Sequence, residues 1–489
     1  MEILLQELPI AILMGLIGAI VFALIGVVSG TDETATLAPL TLVVILIGVP
    51  PAGVFTFFLA GAISKHMTHA IPTMLIGIPG DTMAVPLLDD AARMRALGVP
   101  HIALRKAVSG AVISSFIAVC AAVLFAWLLS PFGDFIGGIA PWLFLVAAVG
   151  IAYSSPAKLA GVLALVPFVA LVLGLQAWTG THEVALTISY FLGIAIGPMI
   201  VDLFAVLAPL GRAELRRDEP SQVYLAPDTG FRKGGSRSFP NPFRILDRRQ
   251  VTAVAATSTI SSATFVFSPV AMTVLMGELV RARIKQGYQR LSSTLTAKNG
   301  TTESTYIAEA LIPLIAFGLP LSPVAAGPAA PLFNAPPVFE TNPETGTIDN
   351  LSTALSTSQF FAYGLLAAVL ATIIAYPFAM RYAHAAARFV VTKVSHEAII
   401  AAFVGLVVVV SLWEGGIFGL LVSLTVGLVG GMLIRIVKVH AGVLFMGFYV
   451  AVLSVPGILA VFSWRSSPRG GARGRRGSRS VAWTGHGAW

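Results

Sequence analysis

Residues 71–79 read IPTMLIGIP, and residues 312–320 read IPLIAFGLP. Both stretches follow one pattern (Ile-Pro, four residues, Gly, then Ile or Leu, and Pro) at a constant separation of 241 residues. Proline ends a helix at a defined place, and glycine permits a sharp turn. The pair therefore predicts two half-chain repeats, each with a broken helix or re-entrant hairpin. The alternative is chance, because such dipeptides are common in apolar sequence.

The composition places this pattern in a membrane. Of the 489 residues, 56% are hydrophobic and 11% are charged, whereas a soluble domain carries about 25% charged residues. Apolar runs of about 20 residues recur along the chain, and each is long enough to cross the hydrocarbon core of a bilayer. They predict an all-α polytopic membrane protein with about 10–12 transmembrane segments. The candidate spans lie near 9–28, 37–63, 107–130, 138–153, 157–177, 183–209, 251–280, 357–380, 397–412, 414–437 and 439–463.

Charged residues divide the chain. Residues 211–250 hold nine Lys or Arg and five acids among Gly, Ser and Pro, which is typical of a solvated linker. The positive-inside rule assigns this linker to the cytoplasm, together with the basic segments 89–106 and 381–393. The predicted domains are membrane repeat 1 at 1–210, the cytoplasmic linker at 211–250, membrane repeat 2 at 251–464, and a basic Arg/Gly/Ser tail at 465–489 that is either disordered or not native.

The two breaks are candidate binding sites. A break frees backbone N–H and C=O groups, which must then lie in protein or face water. Freed helix N-termini attract anions, and matching broken segments in two halves are typical of secondary transporters. Asp81 adds an acid that is costly in mid-membrane unless it lines water or meets a cation, and it also suits the N-cap of the next helix. The predicted substrate-binding residues are Gly77, Pro79, Gly80, Asp81, Thr82, Gly318, Pro320 and Ser322.

Hydroxyl and carboxylate groups upstream of each break suggest an ion site. Thr31 and Asp32 offer the hard oxygen ligands that suit Na⁺, and the segment TSTISS at 257–262 lies in the matching part of the second half. The ion-coupling candidates are Thr31, Asp32, Thr257 and Ser258, with Na⁺ or H⁺ as the coupling ion and no other cofactor. An external loop is the favoured alternative for Asp32 and Glu33.

Other ionisable residues receive ordinary interpretations. His66 and His69 lie three residues apart beside Lys65 and would share a helix face, as metal ligands do. No acid or cysteine is close in sequence, so a loop or membrane-interface position is favoured for both histidines. Asp89 and Asp90 precede a basic segment and are predicted to be solvated.

A family resemblance rests on residues 77–107 and 303–323. The first stretch, GIPGDTMAVPLLDDAARMRALGVPHIALRKA, joins a Pro-Gly turn, an acidic segment and a basic stretch. In the second, Glu303-Ser304 precedes ALIPLIAFGLPLSP at 310–323. The chain resembles the TctA-type large permease subunit of tripartite tricarboxylate transporters, with Leu321 where that family favours Gly.

The resemblance implies a function. It implies ion-gradient-driven import of a di- or tricarboxylate, or a related small organic anion, across the cytoplasmic (inner) membrane of a prokaryote. It also implies two protein partners, a small membrane subunit and a periplasmic solute-binding protein, and no nucleic acid. The chain is accordingly interpreted as a transporter and not an enzyme.

Two alternatives stay open. An intramembrane lipid-modifying enzyme would need converging acids or a metal motif, and LLDDAARMR at 87–95 supplies a single Asp pair. A diverged subunit that does not transport is the other alternative.

Overall fold

The computed structural model describes residues 2–154, 157–184, 186, 188–207, 225–227, 239–265, 267–333, 335, 350–394, 396–439 and 441–455. These residues form helices and turns, with no β-strand in the described ranges. Five of the described helical segments are long and apolar enough to cross a membrane: Gln6–Ile25, Pro100–Phe132, Leu159–Gly180, Thr357–Arg381 and Val404–Val437. The prediction of an all-α polytopic membrane protein is confirmed.

The α-helices in chain order are α1 Glu2–Ile25, α2 Glu33–Leu46, α3 Pro51–Thr68, α4 Leu88–Ala96, α5 Pro100–Leu129, α6 Gly133–Ser154, α7 Leu159–Gly180, α8 Ile188–Leu207, α9 Pro242–Ile245, α10 Arg248–Ser262, α11 Pro269–Arg283, α12 Gly287–Phe317, α13 Pro323–Ala326, α14 Leu351–Ala354, α15 Thr357–Arg381, α16 Ala383–Lys393, α17 His396–Met432 and α18 Ala441–Tyr449. Shorter π-helical turns cover Pro72–Ile76, Leu433–Val437 and Val450–Ser454. Short 3₁₀ turns cover Thr82–Leu87, Ser130–Phe132 and Ala330–Leu332.

The described residues form two compact units. Those within Met1–Gly133, Asp202–Val338 and Asn350–Gly405 belong to unit 1, and those within Asp134–Val201 and Leu406–Trp489 belong to unit 2. Each unit draws on residues from both predicted repeats. The basic tail and most of the predicted linker lie outside the described residues.

Unit 1 is built around a helix that the sequence did not predict as a span. α12 is the longest helix of unit 1, 31 residues, and its side chains from Ser292 to Leu314 are all buried. It packs against α5, α10 and α11. The helix is rich in Ser and Thr, so its hydropathy is too low for it to be predicted as a transmembrane span. Because neighbouring helices surround it, its polar groups meet protein and not lipid.

Hydrogen bonds from those neighbours reach part of the polar face of α12. Its hydroxyls pair with Thr273 on α11 (Thr302, 2.8 Å) and with Ser261 on α10 (Ser304, 2.6 Å). Ser114 on α5 donates to the carbonyl of Gly300. The Ser/Thr-rich face therefore forms hydrogen bonds between α12 and its neighbouring helices, as polar side chains do in membrane helix bundles.

Two predicted spans differ from the observed helices. The run 37–63 is divided between α2 and α3, as the GVPP interruption suggested. The run 251–280 is divided between α10 and α11, because the chain leaves helical geometry after Ser262 and Pro269 starts the next helix. The predicted spans 397–412 and 414–437 are separated by a kink, because Gly415 and Gly416 within His396–Met432 have non-helical backbone.

Unit 2 contains a close helix crossing made by glycines. Gly193 and Gly197 on α8 face Gly427 and Gly431 on α17, and each pair has the small-xxx-small spacing. A Cβ atom built on Gly197 would lie 2.8 Å from the Gly431 nitrogen. Glycines at this spacing let two membrane helices approach to backbone contact.

A similar close approach between α5 and α12 yields a test of the fold of unit 1. A Cβ atom on Gly110 would lie 2.6 Å from the carbonyl oxygen of Thr296, which belongs to buried backbone. We expect Gly110→Val to force the two helices apart and lower the free energy of unfolding by about 1–3 kcal/mol, the usual cost of overpacking. Thermal unfolding of the purified protein in detergent measures this. Gly150→Val on α6, with no atom within 4 Å of the added Cβ, is the control; equal stability of the two variants would contradict the close crossing.

Candidate functional site

The first broken helix ends at the predicted glycine. After α3, a π-helical turn covers Pro72–Ile76, and Gly77 closes it in the left-handed conformation with φ +90°. Glycine reaches this conformation without steric cost. Arg95 Nη1 donates to the carbonyl oxygen of Thr73 at 2.8 Å and so satisfies a group at the end of the helix.

Asp81 restarts the helix on the far side of this break. It is the N-cap of the 3₁₀ turn Thr82–Leu87 and accepts from the backbone nitrogen of Ala84 at 3.0 Å, so the N-cap interpretation is confirmed. Its buried carboxylate also accepts from Lys65 Nζ at 2.9 Å. His69 Nδ1 lies 3.0 Å from both carboxylate oxygens. The acid at the break is therefore held by two basic side chains of the preceding helical segment.

Lys65 joins Asp81 to a second acid. Its side chain is 0% exposed, and its ammonium lies 3.0 Å from Glu33 Oε1 as well as 2.9 Å from Asp81. Glu33 begins α2 and is itself buried. A buried charge is tolerated in a membrane only when it is paired, so each of these groups requires the others.

The network continues to α12 through His66. His66 Nε2 lies 3.5 Å from Glu33 Oε1, and His66 Nδ1 lies 3.3 Å from Glu303 Oε2. The imidazole packs edge-on against Tyr306, with 4.4 Å between ring centroids. A parallel link runs from His69 Nε2 to Asn299 Oδ1 at 3.2 Å. α3 and α12 are thus joined by two polar contacts inside unit 1.

Counting charges shows what this network can do. We call Glu33, Lys65, His66, His69, Asp81 and Glu303 the buried ionic network. It contains three acids, one lysine and two histidines. Histidine is the side chain whose charge changes most readily near neutral pH. The net charge of the network therefore depends on how many protons or cations it holds.

The second break has the same local form. Gly318 ends α12 with φ +62°, and Ser322 is the N-cap of α13, accepting from the backbone nitrogen of Ala325 at 3.0 Å. Gly318 and Ser322 lie 241 residues after Gly77 and Asp81. Ser322 donates to the carbonyl of Glu309 at 2.7 Å. The broken-helix geometry is therefore present at both predicted places, with a neutral cap where the first break has an acid.

Several predicted site residues meet at the first break. Thr82 Oγ1 donates to Asp32 Oδ2 at 3.0 Å, which joins a predicted substrate residue to a predicted ion residue. The backbone of Gly30 donates to Gly80 at 2.8 Å, and Ser29 donates to the carbonyl of Pro79 at 2.5 Å. These two hydrogen bonds hold the turn after α1 against the first break.

The other ion-coupling candidates contact different groups. Thr31 Oγ1 donates to the carbonyl of Val28 at 2.8 Å, and Thr257 Oγ1 donates to that of Val254 at 3.2 Å. Ser258 pairs with Ser114 on α5 at 2.8 Å. In the second half, Pro320 is buried at the break. The hydroxyls of Thr31 and Thr257 therefore donate hydrogen bonds to nearby backbone carbonyls of their own segments.

Three interpretations of ionisable residues are wrong. His66 and His69 lie at the end of α3 with 1% and 0% exposure, not in an exposed loop. Glu33 is buried and paired, not part of an external loop. Asp90 is fully buried between Arg281 and Lys298, the latter at 2.7 Å, not solvated. Asp89 is exposed, as predicted.

One signal in the sequence pointed to the missed residues. Lys65 and His69 are spaced i, i+4 at the end of an apolar run, and charges there are functional candidates by default. Their acidic partners lie 12 to 32 residues away in sequence, beyond the three- and four-residue spacing of a helix face, so no local pattern pairs them. Within the described ranges, no group of three or more His, Cys, Asp or Glu residues is arranged to hold a metal ion.

The comparison with known families agrees with this geometry. The model of the tripartite tricarboxylate transporter TctA family matches residues 12–444, which include both breaks and the whole ionic network. The chain belongs to the TctA family. Neither the search of curated proteins nor the search of solved structures gave a match. This TctA-family protein is therefore a multi-pass membrane subunit of a tripartite transporter, as the sequence resemblance indicated.

Proposed function

We propose that this TctA-family protein imports a small organic anion of the di- or tricarboxylate class by secondary active transport. The observation that carries the proposal is the buried ionic network at the first break. A transporter must hold charge inside the membrane, and a paired cluster beside broken helices is the arrangement that does so. The membrane is the cytoplasmic (inner) membrane of a prokaryote, and the partners are a small membrane subunit and a periplasmic solute-binding protein.

Each of the two breaks contributes residues to the proposed substrate site. The turns at Gly77, Pro79 and Gly80, with the exposed hydroxyl of Thr82, contribute to the substrate site. Gly318, Pro320 and Ser322 contribute from the second break. Asp81 and Ser322 already cap the helices that follow, so their role is to hold the turns in shape for the anion.

The ionic network carries the coupling ion. Glu33 and Asp81 share one ammonium, that of Lys65, and a cation arriving there competes with Lys65 for two carboxylates. A proton would instead be taken up by a carboxylate or by an imidazole of the network. Thr31, Asp32, Thr257 and Ser258 are the alternative oxygen ligands for Na⁺.

Uptake into proteoliposomes tests this proposal. Labelled citrate and a panel of di- and tricarboxylates are offered to vesicles that contain the protein with the small membrane subunit, with the binding protein outside. An inward Na⁺ gradient and an inward proton gradient are imposed separately. We expect one gradient to drive accumulation of one anion. Correctly inserted protein that accumulates no anion under either gradient would favour the non-transporting subunit.

The Asp81→Asn variant tests the role of the network in that assay. The amide removes the charge that holds Lys65 and His69, while it preserves the shape and the cap. We expect uptake to fall by at least about 100-fold, because Lys65 and His69 lose the charge that fixes their positions and a shift of a working group by about 1 Å has an effect of that size. The matched control is Asp89→Asn, which removes an exposed acid eight residues along the chain. Equal uptake by the two variants would remove Asp81 from the mechanism.

A further inference from the structure

The second break contains a buried acid that the ionic network does not include. Glu309 lies on α12, four residues before Pro313, and its side chain is 0% exposed. Its Oε2 atom accepts from the backbone nitrogen of Val324 at 3.2 Å, whereas Oε1 has no hydrogen-bond partner among the described residues. A single donor therefore serves a buried carboxyl group that has two oxygens.

Pro313 explains why Glu309 is bonded to the break. Proline has no N–H, so the Glu309 carbonyl lacks the donor that a regular helix would supply four residues later. The Ser322 hydroxyl replaces that donor at 2.7 Å. The carbonyl and the carboxyl of Glu309 are therefore both bonded to the chain that restarts the helix after Gly318. Any movement of the second break changes the surroundings of this carboxyl directly.

The two breaks differ in how an acid is balanced. At the first break, the basic side chains of Lys65 and His69 hold Asp81. The residues 241 positions after those two bases are Tyr306 and Ala310, and neither side chain carries positive charge at neutral pH. The second break therefore has an acid without the bases that accompany the acid of the first break.

No other part of the described chain supplies a charge to this acid. Residues 299–380 contain no Lys, Arg or His, and the nearest titratable groups on α12 are Tyr306 and Glu303. Four elements that pack against α12 contain no titratable residue: α13, α14 and the turns Thr82–Leu87 and Ser130–Phe132. The other elements packed against it carry Lys65 and His66 (α3), Asp89, Asp90, Arg93 and Arg95 (α4), His101, Arg105, Lys106 and Cys120 (α5), Arg248 and Arg249 (α10), and Glu278, Arg281 and Arg283 (α11). Within the described structure, none of these groups forms an ion pair or a hydrogen bond with the Glu309 carboxyl.

These surroundings favour a proton on the carboxyl. An isolated carboxylate is far more costly to bury than the neutral acid, so a buried acid without a cation takes up a proton instead. A metal cation fits less well, because such ions take about six oxygen ligands. The Glu309 carbonyl already accepts from Ser322 and Oε2 from Val324, which leaves Oε1 as the unbonded oxygen of this residue. One oxygen is enough to bind a proton.

We propose that Glu309 is a proton-binding site of the second break and that its proton crosses the membrane with the anion. This inference rests on the proposed transport function, and it adds a second cation site to that of the ionic network. The carboxylate binds one proton from the outer solution when the break is open to that side. The neutral acid is the form that the closed break holds, and the same proton leaves to the inner solution when the break opens there. Each cycle therefore carries one proton inward on Glu309.

Infrared difference spectroscopy of the purified protein tests proton binding. A protonated carboxyl absorbs at a frequency that is well separated from that of a carboxylate. Glu309→Gln removes the acid but keeps an oxygen that accepts from the Val324 nitrogen. We expect this variant to lose a protonated band at neutral pH, and the control Glu183→Gln, which changes an exposed acid, to keep it. A protonated band that is the same in Glu309→Gln and in the unaltered protein would overturn the proposal.

Proteoliposome uptake tests whether the proton travels with the anion. An inward gradient of one pH unit raises the accumulation ratio by about tenfold for each proton carried. We expect Glu309→Gln to lose that tenfold while it still exchanges labelled for unlabelled anion, which requires no gradient. Glu183→Gln should accumulate the anion as the unaltered protein does. Full proton-driven accumulation by Glu309→Gln would overturn the proposal, and so would a loss confined to accumulation driven by Na⁺.

The two measurements separate this inference from the proposed function. If the unaltered protein neither exchanges nor accumulates an anion, the proposed function fails, and joint transport of the proton fails with it. The infrared band then still decides whether Glu309 binds a proton. Should Glu309→Gln fail to fold, Glu309→Asp supplies the test, because the shorter side chain withdraws the carboxyl from the Val324 nitrogen and must shift the protonated band. An unshifted band would overturn the proposal.

Discussion

The Lys65→Met variant is expected to lose uptake completely and to be the least stable single-residue variant of unit 1. Methionine fills a similar volume, but it takes away the ammonium that Glu33 and Asp81 share and leaves them only the imidazoles of His66 and His69. Loss of one partner from a buried ionic group costs about 3–5 kcal/mol, because the remaining charge is uncompensated. Here two carboxylates lose the same partner, at 3.0 and 2.9 Å. Thermal unfolding in detergent measures the stability, and proteoliposome uptake measures the function.

The control for this variant is Lys106→Met. Lys106 lies on α5, and its ammonium donates to the neutral side chain of Gln250 at 2.8 Å. The acid that Lys106 acts on, Asp247, is partly exposed, so a small effect on stability is expected. A triple variant provides a rescue experiment. Lys65→Met combined with Glu33→Gln and Asp81→Asn removes all three charges. This variant should recover stability without recovering uptake. If Lys65→Met alone transports as well as the Lys106 variant, the ionic network has no part in transport.

Gly80→Ala is expected to abolish uptake by adding a single methyl group. A Cβ atom on Gly80 would lie 2.7 Å from both the Cβ and the carbonyl oxygen of His69. The collision involves backbone, which cannot rotate away as a flexible side chain can. The His69 segment must then move, and its contacts to Asp81 and Asn299 move with it. We expect uptake to fall by at least about 100-fold, in line with the effect of misplacing a working group by about 1 Å.

The comparison variant is Gly174→Ala on α7, where no atom lies within 4 Å of the added Cβ. It should leave uptake unchanged and slightly favour the helix, because alanine is the better helix former. Surface labelling of intact cells gives the amount of each variant in the membrane, so lost uptake can be separated from lost protein. Normal transport by the Gly80 variant would mean that the break tolerates movement of His69.

The sequence predicted the breaks well because their cause is local. Gly77 and Gly318 adopt a backbone conformation that few other residues reach, and Asp81 and Ser322 cap the next helix within three residues. Proline, glycine and capping side chains act on their immediate neighbours, so a pattern of nine residues suffices to locate them.

The ionic network could not be predicted in the same way, because its partners are distant. Lys65 meets an acid 32 residues earlier, and His69 meets an amide 230 residues later. Hydropathy also failed for α12, since its Ser and Thr residues are polar by any scale although they are buried. Burial of such a helix depends on the neighbours that surround it, and those neighbours are known only from the fold.

The polar character of α12 has a consequence for how the chain is made in the cell. A helix with Lys298, Glu303 and Glu309 in its middle would be rejected by the insertion machinery on its own, because each charge at the centre of a span adds about 2.5–3.5 kcal/mol. Lys298 pairs with Asp90 on α4 and Glu303 lies 3.3 Å from His66 on α3, so the helix can enter only where those elements are already in place. Biogenesis therefore has an order: the first half must already be in the bilayer when α12 leaves the ribosome. A chain that stalled in between would expose the polar side chains of this helix to lipid, where they are costly.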